Sequence, residues 1–597
     1  MSENAIQSLL DMGITREVAI EALAKTNGDV ENSVNYIFSG ELPQQGPPPA
    51  PEETPEDREK EPESESELPE NPEFIEEAPP SEDEATDQQG VAVSPREQIA
   101  CQLKNRPEDP LVVRPASGNA LFENYFALFC LAVGLGFPHH FLEPDFQDLT
   151  YGQDWYKGQF LKPAYRVKFE NNDDVSIVPQ ETLTSQDNLI LQPELLWQFQ
   201  KFLAVQNSPQ CRRKYVTARY LTKVLEPQVV EKLNNSDHLH EALPSFIKSL
   251  ANDVELCPGA HSVKELFIST AYYKPVSEPE PIETLVSLLH FMPEEYDTNI
   301  YKMFNALLYP DSNEDAEMDD IQNSLGNLAP MITIVFDEMD ESTEQATLPH
   351  GVDVPLEFYP QLYTEEAKNL LIKEVTKLSA DSQTQARSIL RNLNDLKSFQ
   401  GKQIHSFLNS ALDFITKDMS GVSEQSGVQE LVDSLQEVKQ QLGSKKTEKM
   451  AQYKAVSHRL NNELNLSHPE LGIIQRAKDL GLIDEPYLLT SAVISASNYF
   501  IRQNNGQWFH VVGRSNSEHM DVTKTDASTV SSAIRFHTRC ASESPLMFTY
   551  FKPSAIDTEA QVKEAVGHNK GAKLFAEQDQ KHINTLSAPD EEDLIDL

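Results

Sequence analysis

The chain has 597 residues and a mass of 67.2 kDa, a length that suits roughly three or four units rather than one domain. Ninety-five acidic against 49 basic residues give a formal net charge of −46 and a pI near 4.6. Such a surface repels nucleic-acid phosphates and anionic lipid heads, and favours partners with a basic face. Five cysteines, at 101, 130, 211, 257 and 540, show neither a CxxC pair nor metal-ligand spacing. No apolar leader and no apolar run of about 18 residues is present, so a protein of the cytoplasm, and also of the nucleus, is expected, with no metal, no cofactor and no membrane insertion.

Residues 1–40 predict three short helices. Ile6, Leu9 and Leu10 share a face that stops at Gly13. A second helix opens on Thr15, turns Val18, Ala19, Ala22 and Leu23 inward, and stops at Gly28. A third opens on Asp29 and ends at Gly40. Residues 41–98 form a linker expected to be disordered. Between 41 and 90 it holds eleven prolines, eighteen acids and two bases, too little apolar surface to offset ordering entropy. No PPxY motif occurs in it.

From 99 to 555 the composition is globular, interrupted at 364–465 by helical spacing. There Leu370, Leu371, Val375 and Leu378 form one face, Ile389, Leu393 and Leu396 another, and Leu431, Leu435, Val438 and Leu442 a third. Either an all-helical arm or an ordinary part of the globule fits that pattern. Around it lie 99–363 and 466–555, with alternating strands such as "YLLTSAVIS" at 487–495. The last segment, 556–597, loses apolar periodicity and is expected to be a flexible acidic tail, with a helical stretch near 558–582 allowed for.

Met12-Gly13-Ile14, the Ala/Leu helix, Gly28-Asp29-Val30 and Tyr36-Ile37-Phe38 together resemble the ubiquitin-associated (UBA) domain. The resemblance implies a three-helix bundle that covers the apolar patch of ubiquitin with Met12, Gly13, Ile14 and the helix end around Asn35 and Phe38. The alternative is that Met12 and Ile14 close the bundle's own core.

Four later segments resemble, in order, the papain-like ubiquitin-specific protease domain: "SGNALFENYFALFCL" at 117–131, 195–225, 328–363 and 487–551. The implied fold class is α+β, a UBA bundle followed by a papain-like body with a large helical insertion. A cysteine protease needs a thiolate, an imidazole base and a group that orients the imidazole. On this resemblance the three positions hold Leu121, Asn498 and, counting five residues beyond Trp508, Gly513. None of the three side chains supplies its role, so no catalytic residue is expected. Cys130, two and a half turns beyond Leu121, reads as a core residue. Cys257 with His261, in "CPGAH", is too near in sequence for a nucleophile and base, and neither His510 nor His519 aligns with the base.

The end, "EEDLIDL", is similar to a clathrin box in Leu594, Ile595, Asp596 and Leu597, or is a merely solubilising tail. The whole arrangement resembles fungal UBA-domain adaptors. It implies a non-catalytic adaptor whose partners are ubiquitin or ubiquitylated proteins, a ubiquitin-specific protease and a HECT ubiquitin ligase. A clathrin-linked cargo adaptor and an active deubiquitinase are the alternatives.

Overall fold

The computed structural model describes residues 102–587 except for short stretches, the longer of them 180–191, 273–280, 289–298, 309–323 and 337–350. Ahead of 102 it describes only Ile20, Ala22, Leu23, Lys25 and Ser33. Met12, Gly13, Ile14, Asn35 and Phe38, and Leu594 to Leu597, lie outside the described residues. Ala22 and Leu23 are helical and buried, as the spacing of their helix predicts, and Ile20 is exposed. The chain divides into two compact units, Val93–Val375 with Glu463–Leu597, and Met1–Ala92 with Thr376–Asn462.

The first unit is built around α1 (Leu121–Gly136), in which every residue from Asn124 to Val133 is buried. A helix apolar on all sides has to be covered on all sides. Helices α2 (Glu194–Gln206) and α3 (Leu239–Glu255) cover part of it, with Phe126 stacked on Phe246 at 4.5 Å. Just before α1, strand β1 (Val112–Arg114) pairs in parallel with β2 (Tyr215–Thr217). The rest of the cover is one face of an eight-stranded sheet. Its strands are β3 (Val286–Leu288), β4 (Met331–Phe336), β5 (Glu357–Phe358), β6 (Tyr487–Ser495), β7 (Asn498–Arg502), β8 (Trp508–Gly513), β9 (Met520–Thr525) and β10 (Leu546–Phe551). They lie in the order β9-β8-β7-β6-β10-β4-β3, with β5 paired to β6. All neighbours are antiparallel except β3 and β4. Helices and sheet are thus mixed in one unit, as expected.

Residues 364–465 carry α4 (Lys373–Lys397), α5 (Ile404–Asp418) and α6 (Ser426–His458), and the unit boundary falls within α4. In the second unit Ile389, Leu390, Leu393, Leu408, Val432, Tyr453 and Val456 are buried. The expected face of α6 is rotated. Val432 turns inward while Leu431 and Val438 are exposed, and the inward stripe continues through the half-buried stems of Lys439 and Lys446.

The flexible tail expected over 556–597 is corrected as far as Ser587. After α7 (Ala527–His537) and β10 the chain forms α8 (Glu559–His568), started by a capping box between Thr558 and Gln561, and α9 (Lys570–Ser587). Phe575 and Ile583 of α9 are buried, and so is Asp579. Arg213 grips the Asp579 carboxylate through Nε at 2.9 Å and Nη2 at 2.7 Å, and Trp155 Nε1 donates to it at 2.8 Å. The Arg213 guanidinium lies 4.0 Å from the centre of the Tyr156 ring. A helix of middling hydrophobicity is therefore held by one buried charge pair and its aromatic collar, contacts that sequence periodicity does not register.

Removing one partner of a buried pair strands the other, which costs about 3–5 kcal/mol. Asp579→Ala is accordingly expected to lower the urea midpoint strongly, and Asp579→Leu combined with Arg213→Met to recover most of the loss. Burial also holds His140, His510, His537 and His582 below the usual histidine pKa of 6.5. In the unfolded chain these rings take up protons near that value and in the folded chain only lower, so stability drops as pH falls through 6.5. Asp557, its carboxyl pushed up by burial, opposes this. Urea unfolding at pH 7.5 and 5.5 is expected to show the drop, and His510→Asn with His537→Asn to reduce it.

Candidate functional site

The hairpin of β7 and β8 places Asn498 directly across from Val512, Tyr499 from Val511 and Phe500 from His510. Residues directly opposite in an antiparallel pair point to the same face, and neighbours along a strand alternate. Asn498, Phe500, His510 and Val512 therefore share one face, while Tyr499, Val511 and Gly513 lie on the other, toward the core that surrounds α1. On that core side the Tyr499 hydroxyl accepts from Val113 N and donates to Val113 O, both at 2.9 Å, tying the hairpin to β1. A few residues on, Ala116 N donates to the buried Asn124 Oδ1 at 2.8 Å. The Tyr499 hydroxyl thus ties the hairpin to β1, and Asn124 ties the segment after β1 to the first turns of α1.

Each of the three vacant positions has a definite place. Leu121 opens α1. Asn498 begins β7, and its Oδ1 lies 2.8 Å from His510 Nε2. With Oδ1 facing the ring, Nε2 is the nitrogen that carries the proton. Gly513 ends β8, where its N–H donates to Ser497 O at 2.8 Å. A Cβ added to Gly513 would stand 2.6 Å from Met520 Sδ and 3.4 Å from Pro115 Cδ, so an acidic side chain there requires Met520 to move. The hairpin therefore brings Asn498 and Gly513 to one end but aims them to opposite faces. The residue across from Asn498 on its own face is Val512, an apolar group 37% exposed. Counting residues from Trp508 could not distinguish these two, because one step along a strand reverses the face.

His510, named by the sequence and set aside because it does not align with the base, is the residue that meets Asn498. Its ring stacks on Phe500 at 4.3 Å and 10°, and it is held neutral by burial and by the nearby His537. The signal that would have placed it is the two-residue alternation from Trp508, which puts 510 on the face of Asn498. The Nε2–H is spent on the Asn498 amide oxygen, and an amide offers no nucleophile for the ring to activate. Burial pushes the thiols of Cys130, Cys211 and Cys257 up, away from thiolate. Cys257 Sγ donates to Asp253 O at 3.3 Å, while His261 is exposed and bonds Glu143 at 2.8 Å, so each has another partner. His519 pairs with Asp521 at 2.8 Å, with both side chains exposed. Among the described residues no group of His, Cys, Asp and Glu is arranged to hold a metal ion, and no helix is long and apolar enough to cross a membrane.

Residues 1–37 match the UBA/TS-N domain family. Along almost its whole length the chain is also similar to the UBA domain-containing protein RUP1 of Saccharomyces cerevisiae, at 39% identity over 641 aligned positions, covering 98% of this chain and 95% of that protein. Similarity sustained from the N-terminal helices through the body exceeds the sharing of a single module. The chain belongs to the family of the yeast UBA domain-containing protein RUP1.

Proposed function

We propose that the chain is a non-catalytic ubiquitin-binding adaptor of the cytoplasm and nucleus. Its UBA domain captures ubiquitin or ubiquitylated proteins, and its body serves as an inactive scaffold of the papain-like, ubiquitin-protease type. The match of residues 1–37 to the UBA family carries the first half of this reading. The hairpin supports the second, because Asn498 and Val512 stand where a base and its orienting group would have to face one another. An asparagine amide takes no proton near neutral pH, and a valine orients nothing. Order survives around them, in the Tyr499–Val113 tie and the Ala116–Asn124 bond, with the chemistry gone. A scaffold of this outline suits contact with an active ubiquitin-specific protease and a HECT ligase, and the terminal Leu594–Leu597 segment suits clathrin. The formal charge of −46 favours a partner that rings its apolar patch with basic groups, through faster encounter.

Titration of labelled ubiquitin into the full chain tests the capture site. Met12→Ala with Ile14→Ala is expected to weaken binding about tenfold or more, equivalent to roughly 1.4 kcal/mol lost from a small apolar contact. An unchanged affinity, with the helical content of the variant intact, would move ubiquitin to another surface. Deleting Leu594–Leu597 is expected to abolish recovery of clathrin on the immobilised protein. Equal recovery without those four residues would remove clathrin from the reading.

A further inference from the structure

The second unit presents an apolar stripe and a cationic stretch on the same helix. Leu431 and Val438 of α6 are 50% and 46% exposed, and on α5, which packs against α6, Phe407 and Phe414 are 64% and 58% exposed. Each pair is spaced by seven residues and so lies on one stripe of its helix. Seven residues beyond Val438 the stripe of α6 reaches the exposed Lys445. From Lys439 to Arg459 there are six bases and one acid, in a chain whose total is −46. This is a local reversal of charge beside uncovered apolar groups, the two features a short acidic and apolar peptide requires.

The same chain contains such a peptide. The linker from 41 to 90 has eighteen acids and two bases, and its single aromatic, Phe74, sits in "PEFIEEAPP" with Ile75 beside it and Glu73, Glu76 and Glu77 around it. We propose that this linker segment docks on the α5–α6 pair of its own chain, with Phe74 and Ile75 on the Leu431–Val438 stripe and the flanking glutamates on the lysines that follow. Covering apolar groups supplies the contact, and opposite charge selects the segment and its direction. Tethering within one chain makes the local concentration of the peptide high enough for a weak contact to be populated. Docking of this kind shortens the span between the UBA domain and the segments that follow the linker.

Lysine acetylation read by mass spectrometry on the full chain tests the proposal, with carbodiimide cross-linking as the second measurement. In low salt Lys439, Lys445, Lys446 and Lys449 are expected to react about threefold or more slowly in the native chain than in a Phe74→Ser, Ile75→Ser, Glu73→Gln, Glu76→Gln, Glu77→Gln variant. The difference is expected to vanish near 1 M salt, where the screening length falls to about 3 Å. Cross-links from Glu73, Glu76 or Glu77 to these lysines are expected to form within single chains. The altered residues lie in the linker, so a folding defect of the helices cannot mimic the result. Equal lysine reactivity in native and variant chains would overturn the proposal. So would cross-links found only between isotopically distinct copies.

Discussion

The body is organised by one constraint, that α1 is apolar all the way round. Nothing between Tyr125 and Val133 can face water without loss, so two helices and a sheet have to enclose it. Gly136, where α1 ends, allows Phe551 of β10 to come within 2.5 Å of where a Cβ would stand. The hairpin of β7 and β8 is then fixed by the double hydrogen bond of Tyr499 to Val113, and the C-terminal helix by Arg213 and Asp579. Those two polar ties are buried, so each acts in a low dielectric where leaving a partner unmade is costly.

Enclosure of α1 and chemistry at its start are separable demands. The enclosure requires apolar volume, close approach and satisfied backbone groups, and all of these are present. Catalysis requires in addition a nucleophile and a base whose proton affinities match near neutral pH. Leu121, Asn498 and Val512 meet none of that, and His510, brought beside Asn498, is occupied by the amide and by Phe500. On the proposed reading, a body of this kind keeps a shape that partners can hold while these positions offer no group to attack a carbonyl.

Much of the strand pattern was legible because it is local. Alternation marked the strand at 487–495. Helical spacing marked α4 to α6 but misplaced the inward face of α6, since the stems of Lys439 and Lys446 take positions that a count of apolar residues leaves out. A helical stretch near 558–582 was allowed for, but the burial of α9 in the body was missed for a different reason. Its anchor, Asp579, meets a residue 366 positions away, and no window along the chain contains both. Counting from Trp508 led to Gly513, whereas the residue that shares a face with Asn498 is Val512, because register across a hairpin is set by pairing and not by counting. The UBA segment was legible through its loop and helix-end motif, although its contact residues lie outside the described part of the structure.

The central claim is that the body carries no attacking group. Ubiquitin bearing a thiol-reactive vinyl sulfone at its C-terminus, incubated with the full chain, tests it most directly. No covalent adduct is expected at any of the five cysteines, while ubiquitin itself still binds. An adduct at one of them, lost when that cysteine becomes alanine, would contradict the account.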